Sequence, residues 1–331
     1  MRFPMSLHFS MSTYLLKMRF RGNDRYPLVL MLEPTHKCNL SCAGCGRIIE
    51  YRDTLDKELS LEECLSAVDE AGTPVVTITG GEPLLYSKIR ELVKEILRKR
   101  KHIYLCTNGI LLEDVLHWFD PHPRFTWNIH FDGTEPVHDR IIGRPGGFRK
   151  ALKGLREAKR AGFRVSTNTT VYRETDINDL EKLFTQLAEA GADGILVAPG
   201  FSYEKVKREI FLTRQEIMTK FRQILTWRNR FPFISNPIYL EFVAGLRTLR
   251  CTPWGNPTRN PCGWKSPCYL ITDTHYQSFR ELMEKTDWSY YESGKDPRCS
   301  QCMVHCGYEP TVVRQLGLRD AFIMLKWNLN G

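Results

Sequence analysis

The sequence predicts an α/β fold in which six β/α units run in series and lead into a cysteine-rich C-terminal extension. Three observations carry this reading. From residue 26 to 200, short apolar or β-branched runs alternate with amphipathic runs of helical period. Two stretches, Cys38-Asn39-Leu40-Ser41-Cys42-Ala43-Gly44-Cys45 and Gly80-Gly81-Glu82-Pro83, each follow such a strand. Beyond residue 200 the periodicity weakens, and proline, aromatic residues and cysteine take over. Six β/α units in series demand parallel strands with right-handed crossovers, in an open sheet or a barrel. In either, functional groups gather at the carboxyl ends of the strands, where both stretches lie.

The elements follow in order. Residues 1–25 form a basic segment in which Leu7, Phe9, Met11, Tyr14, Leu15, Leu16, Met18 and Phe20 mix with Arg2, Lys17, Arg19, Arg21 and Arg25. It reads as a helix over 5–20, packed on the barrel or lying on an anionic membrane surface. Strand one, 28–33, is an apolar run ended by Pro34. Ser60-Leu61-Glu62-Glu63 supplies an N-cap and a capping-box acid for a helix to residue 71. Strand two, 75–79, stops at two glycines, and a basic amphipathic helix spans 86–100. Strand three, 103–107, closes on Asn108-Gly109. Helix 111–118, strand 125–131, helix 147–161, strand 164–171, helix 177–190 and strand 194–198 complete the series. A helix over 213–230 follows, with Ile217, Phe221, Ile224 and Leu225 on one face. The expected organisation is a segment 1–25, a core 26–200, and an extension 201–331 held together by something other than a large core.

Composition narrows the classes. The chain has 331 residues, 42% hydrophobic and 26% charged, enough for one α/β domain with an appendage. The formal charge is 47 − 38 = +9, which permits nucleic acid, anionic lipid or acidic substrates without choosing among them. No helix-turn-helix, RNA-binding or finger spacing is present, so nucleic acid is not the expected partner. The eleven cysteines cluster rather than scatter, which favours metal binding over disulfides and a cytoplasmic, reducing compartment. No apolar run reaches transmembrane length, and the apolar stretches of 1–25 are too short and interrupted for a secretory signal.

Cys38, Cys42 and Cys45 put three thiols on eight residues, a spacing that can wrap one face of a metal centre. Zinc, Cu(I) and iron–sulfur clusters all take thiolates. No fourth ligand is local, since Cys64 lies nineteen residues further on. A distant residue closes the site, or it stays open to a small chelating molecule.

The C-x3-C-x2-C loop after strand one, with Gly80-Gly81-Glu82-Pro83 after strand two, resembles the radical S-adenosylmethionine (SAM) superfamily. That resemblance implies a partial (β/α)6 TIM-like barrel, a [4Fe-4S] cluster on Cys38, Cys42 and Cys45, and SAM at the fourth iron. It puts the SAM amino group at the backbone of Gly80, Gly81, Glu82 and Pro83. Asn128-Ile129-His130-Phe131-Asp132-Gly133 is similar to the family's fourth-strand segment, with His130 where serine is usual. His130, Asp132, Asn108, Asn168 and Thr170 are then expected around SAM, although each also fits ordinary strand-end chemistry. Arg144 resembles a loop arginine of related enzymes, or is a solvated charge. Gly44 stands where the superfamily usually has an aromatic residue, which implies a lost packing partner for adenine.

Cys106, near the end of strand three, reads as a buried small hydrophobe or as a hydrogen-atom donor facing the SAM ribose. Cys251-x11-Gly263-x4-Cys268 and Cys299-x2-Cys302-x3-Cys306 resemble the auxiliary-cluster (twitch or SPASM) extension of some radical SAM enzymes. That implies a second [4Fe-4S] cluster, or zinc, on Cys251, Cys268, Cys299 and Cys302, with Cys306 or Cys262 as a substitute.

Several longer stretches, among them Tyr104-Leu105-Cys106-Thr107-Asn108, Cys251-Thr252-Pro253-Trp254-Gly255-Asn256-Pro257-Thr258-Arg259-Asn260 and Cys302-Met303-Val304-His305-Cys306-Gly307-Tyr308-Glu309, are similar to the hopanoid-biosynthesis radical SAM family, the adenosylhopane synthases. That family shares Gly44, but has proline where this chain has Thr79. The resemblance covers residues 10–313 and implies addition of a 5′-deoxyadenosyl radical to the alkene of diploptene, with Cys106 quenching the product radical. It implies a hydrophobic channel, for which Phe231, Phe233, Tyr239 and Phe242 are candidate wall residues or ordinary core. It also implies a reducing partner such as flavodoxin or ferredoxin and work near the inner face of a membrane. The competing readings are hydrogen abstraction from another lipid, a peptide or a small molecule, and a basic zinc protein that binds nucleic acid.

Overall fold

The computed structural model describes residues 2–206, 209–315 and 317–329. Helix α1 (Met5–Phe20) precedes β1 (Val29–Leu32), α2 (Gly46–Glu50), α3 (Leu61–Ala71), β2 (Val75–Ile78), α4 (Ile89–Arg98), β3 (His102–Thr107) and α5 (Leu112–Val115). Then come β4 (Phe125–His130), α6 (Glu135–Ile142), α7 (Gly147–Arg160), β5 (Arg164–Val171), α8 (Ile177–Glu189) and β6 (Gly194–Pro199). The remainder holds α9 (Arg214–Thr226), α10 (Pro237–Val243), β7 (Thr258–Asn260), β8 (Gly263–Pro267), β9 (Thr272–Tyr276), α11 (Phe279–Lys285), α12 (Trp288–Glu292), α13 (His305–Arg314) and α14 (Leu318–Leu329).

Strands β1 to β6 pair in sequence order and all in parallel. Strand β6 does not close on β1, so the barrel is partial. Capping signals set the helix starts. Ser60 and Glu63 form a reciprocal capping box on α3, Thr213 and Glu216 another on α9, and Asp176 caps α8. Helix α4 buries Ile89, Leu92, Val93 and Ile96, the i, i+3, i+4, i+7 face its sequence predicts.

Helix α1 packs on the barrel, across the amino ends of the strands. Ser10 Oγ lies 3.4 Å from His102 Nε2, and Tyr14 donates to Pro27 O at 2.7 Å. Arg2 Nη1 donates to the carbonyls of Phe231 and Phe233 at 3.2 and 2.9 Å.

One expectation is corrected, and one open alternative is decided. The extension is not organised apart from a large core. Strand β7 pairs in parallel with β1 through Met31 and Thr258, and β8 and β9 continue the same sheet antiparallel. Phe233, Tyr239, Trp254 and Trp264 belong to the same buried cluster as Leu30 and Trp127. The outer edge of β1 would otherwise present unpaired backbone groups, and β7 supplies their partners. Phe231, Phe233, Tyr239 and Phe242 are core, not channel wall, each no more than 4% exposed. Helices α2 and α6 have no separate sequence reading, because both are short and one follows a cysteine loop directly.

The strands alternate in burial. Ile78, Leu105, Trp127, Ile129 and Val197 are fully buried beneath the helices. Their inward-facing neighbours Thr77, Tyr104, Cys106, Asn128, His130, Asn168 and Leu196 keep accessible surface. A barrel whose inward residues remain accessible encloses a lumen.

Candidate active site

Cys38, Cys42 and Cys45 lie on the loop from β1 to α2, and the turn after β2 is shaped to receive that loop. Thr79 N–H donates to Leu32 O at 2.8 Å, Gly81 N–H to Thr35 O at 3.1 Å, and Glu82 N–H to Lys37 O at 2.7 Å. The approach leaves no room for side chains. A Cβ on Gly81 would lie 2.0 Å from Lys37 O, and one on Gly80, whose φ is +118°, 2.6 Å from Thr35 O. The cysteine loop itself therefore requires both glycines. Asn108 ties in the third strand, its Nδ2 donating to Asn39 Oδ1 at 2.7 Å. Pro83 is buried. The Glu82 carboxylate is buried and accepts from Leu84 N–H at 3.1 Å and Asn108 N–H at 2.8 Å. Burial pushes it up to about 7. Its side chain thus pins the loop after β3 to the turn after β2, a structural task that the motif alone does not announce.

Burial pushes the Cys38 thiol up to about 11 and the Cys42 thiol higher still. Among the described residues no three His, Cys, Asp or Glu side chains form a ready-made metal centre. The donor set nevertheless fits a cluster. Three thiols share one short loop, and a backbone cradle that excludes any Cβ lies beneath it. Those three residues would hold a [4Fe-4S] cluster, leaving one iron for a chelating ligand.

The lumen is lined in layers set by register. Cys106 pairs with Asn128, and Asn128 with Ser166. His130 pairs with Asn168, and Asn168 with Leu196, one layer nearer the mouth. Asn128 Nδ2 donates to Cys106 Sγ at 3.4 Å, and Ser166 Oγ holds Asn128 Oδ1 at 3.0 Å. Burial pushes the Cys106 thiol up to about 11, so it stays protonated at neutral pH. His130 Nε2 lies 2.6 Å from Asp132 Oδ2, and Asp132 Oδ1 accepts Thr170 N–H at 3.0 Å. Burial opposes a charge on His130, but the Asp132 carboxylate outweighs it and raises the imidazole above its ordinary value. The structure therefore brings Cys38, Cys42, Cys45, the glycine cradle, Asn108, His130, Asp132 and Thr170 to one end of the barrel, with Cys106 below. Arg144 stays in the α6–α7 loop, its N–H bonded to Asp139 O at 3.0 Å.

Two aromatic residues escaped the sequence reading. A Cβ on Gly44 would meet the Tyr172 hydroxyl at 2.4 Å, and one on Gly46 the Tyr203 ring at 2.4 Å. Tyr172, just after β5, fills the place that an aromatic side chain at position 44 would take. The two glycines flanking Cys45 were the signal for it.

Behind the loop lies a buried charged layer. Arg47 Nη2 is 2.7 Å from Glu33 Oε1 and donates to Tyr269 O at 2.9 Å. Lys265 donates to the same carbonyl at 2.9 Å and lies 3.5 Å from Glu50 Oε2. Burial lowers Lys265 to about 8. This layer joins the cysteine loop to β8 of the extension.

Cys251, Cys268, Cys299, Cys302 and Cys306 line one cavity of about 250 Å³. A Cβ on Gly307 would lie 2.5 Å from Cys251 Sγ, so the glycine makes room for that thiol. Cys262 is not in the lining. Its sulfur sits 4.0 Å from Thr54 Oγ1, outside the cavity that Cys306 lines. Cys64 is buried in the core.

A parallel six-stranded partial barrel carrying a three-thiol loop and a glycine cradle at adjacent strand ends defines a class of SAM-dependent iron–sulfur enzymes. Comparison with known proteins makes this specific. A family model described as the radical SAM superfamily matches residues 32–187, and one described as a domain of unknown function (DUF3463) matches residues 195–322. A probable GTP 3′,8-cyclase of Methanothermobacter marburgensis is 30% identical over 273 residues, 77% of this chain and 89% of that one. An AdoMet-dependent heme synthase of Oleidesulfovibrio alaskensis is 27% identical over 203 residues, 59% of this chain and 50% of that one. The chain thus spans about half the length of the heme synthases it matches. Streptococcus suis SuiB, solved with its precursor peptide SuiA, superposes with a TM-score of 0.65 at 15% identity, over 86% of this chain and 68% of that one. This likeness shows the fold. The chain belongs to the radical SAM superfamily, whose members use a [4Fe-4S] cluster and SAM.

Proposed function

We propose that this enzyme adds the 5′-deoxyadenosyl group of SAM to the alkene of an apolar terpenoid, with diploptene the substrate that the sequence motifs suggest. The relatives include a heme synthase, a peptide cyclase and a GTP cyclase by name, so superfamily membership leaves the substrate open. The observation that carries the reading is the place of Cys106. It sits in the lumen one layer below His130, as a neutral thiol held by Asn128. Cys38, Cys42 and Cys45 would hold the cluster, which would supply the electron for reductive cleavage of SAM to methionine and a 5′-deoxyadenosyl radical. Addition to an alkene leaves a carbon radical in the lumen, and the Cys106 S–H bond gives it a hydrogen atom. The sulfur left behind needs one electron and one proton from the external reductant to become a thiol again.

The test is anaerobic incubation of reconstituted enzyme with SAM, a reductant and diploptene, read by mass spectrometry. The expected product is substrate plus adenosyl plus one hydrogen. In D2O that hydrogen is deuterium, because thiols exchange with solvent. Cys106→Ala should remove most of this saturated product while SAM cleavage continues. Free 5′-deoxyadenosine with no adduct overturns the reading. It would favour the second one, hydrogen abstraction from another substrate, which the five-thiol cavity supports as the seat of a second [4Fe-4S] cluster or a zinc ion.

A further inference from the structure

We propose that α1 and α14 together form a docking face for an anionic lipid bilayer. The inference goes beyond the reaction and does not depend on its substrate. Among the described residues, the large apolar side chains left exposed are concentrated here. Met5, Phe9, Leu16 and Phe20 are 55–88% exposed on α1, and Phe322, Leu325 and Leu329 are 58–67% exposed on α14. Elsewhere among the described residues Leu246 is 64% exposed and Tyr290 38%.

Spacing makes each set a stripe. At about 100° per residue, the four positions on α1 fall within an arc of about 60°, and so do the three on α14. The opposite side of α1 carries Tyr14 and Met18, which face the protein. Both helices are therefore apolar on two faces, one spent on the fold and one not. The segment that leads into α1 ties it to α14. Arg2 N–H donates to Asn328 O at 3.3 Å, Phe3 N–H to Asn328 Oδ1 at 3.0 Å, and the Phe3 and Trp327 rings lie 5.8 Å apart.

Charge selects the occupant. Residues 2–23 contain no acid, and Lys17, Arg19 and Arg21 are exposed at the end of α1 beside Phe20. On α14, Arg319 and Lys326 are exposed, while Asp320 is half-buried and paired with Arg247 at 2.9 Å. Apolar stripes edged by cations match acyl chains beneath a layer of anionic headgroups. A second copy of this chain would bring like charges together. No described helix is long and apolar enough to cross a membrane, so the contact is interfacial. Because α1 crosses the amino ends of the strands, docking leaves the cysteine loop, at the opposite ends, open to water-borne SAM and reductant.

The test uses the reconstituted full chain and sedimentation with vesicles of phosphatidylcholine alone or mixed equally with phosphatidylglycerol. The chain should pellet with the anionic vesicles, and high salt should release it. Phe9→Ser/Leu16→Ser/Phe20→Ser, and separately Phe322→Ser/Leu325→Ser, should each weaken binding about tenfold or more, as should Lys17→Glu/Arg19→Glu. All three change exposed residues, and unchanged SAM cleavage confirms that they fold. Failure to pellet with anionic vesicles, or pelleting that the variants do not weaken, overturns the proposal. So does an ultracentrifugation dimer that the serine variants convert to monomer, since a second copy would then cover the face.

Discussion

At the scale of single residues, the site depends on atoms that are missing. Gly80, Gly81 and Gly44 matter because a Cβ at each would enter a loop carbonyl or the Tyr172 ring. Gly81→Ala should be among the most damaging substitutions in the chain. It drives a methyl to 2.0 Å from Lys37 O and must push the cysteine loop away. The expected cost is ~3 kcal/mol or more, the range of severe overpacking. Thermal melting of the apo chain should show that loss, and iron per chain after reconstitution should fall by more than half.

At the scale of elements, α13 carries two tests. Glu309 accepts Asn236 N–H at 2.9 Å, and Asn236 in turn caps α10 through Tyr239 N–H at 2.8 Å. Burial raises the Glu309 carboxyl to about 7. An acid whose folded value lies above its unfolded one stabilises fully below the unfolded value and loses that contribution as pH rises through the folded one. The stability of the native chain relative to Glu309→Gln should therefore fall by about 1.4 kcal/mol per pH unit between roughly 4.5 and 7, then level off. Urea melts of the two chains across that range would measure it. A slope of opposite sign would contradict the assignment. The second test concerns Cys306, at the start of the same helix. Cys306 lines the five-thiol cavity and Cys262 does not. Cys306→Ala should reduce metal bound beyond the first cluster, whereas Cys262→Ala should leave iron and zinc content unchanged in elemental analysis.

At the scale of the whole molecule, the extension and the barrel share one sheet and one core. A fragment comprising residues 26–200 would strip β7 from β1 and expose the cluster that holds Trp254 and Trp264. It should be insoluble, or lack a cooperative melt, while the full chain melts cooperatively. A soluble fragment with a sharp transition would show that the two parts fold independently.

Much of this was legible in the sequence. The alternation of strand and helix, the capping boxes of α3 and α9, and the order of cysteine loop and glycine turn are local signals. They depend on periodicity, side-chain-to-backbone bonds and φ preferences within a few residues. They place Cys38, Cys42 and Cys45, Gly80 and Gly81, and Cys106 at strand ends. The sequence leaves α1 between two surfaces because its apolar residues lie on both faces, so periodicity does not choose. Tyr172 and Tyr203 were missed because their partners are glycines more than a hundred residues away. By itself, then, the sequence determined the parallel partial barrel and the chemistry gathered at one end of it. The tertiary structure alone decided that Cys306 rather than Cys262 lines the cavity of the second thiol set, that Glu82 and the phenylalanines after β6 serve the fold, and that two helices keep an apolar face uncovered by the rest of the protein. Those outcomes depend on which distant segments touch, and contact between distant segments leaves no period in the chain for a reader to count.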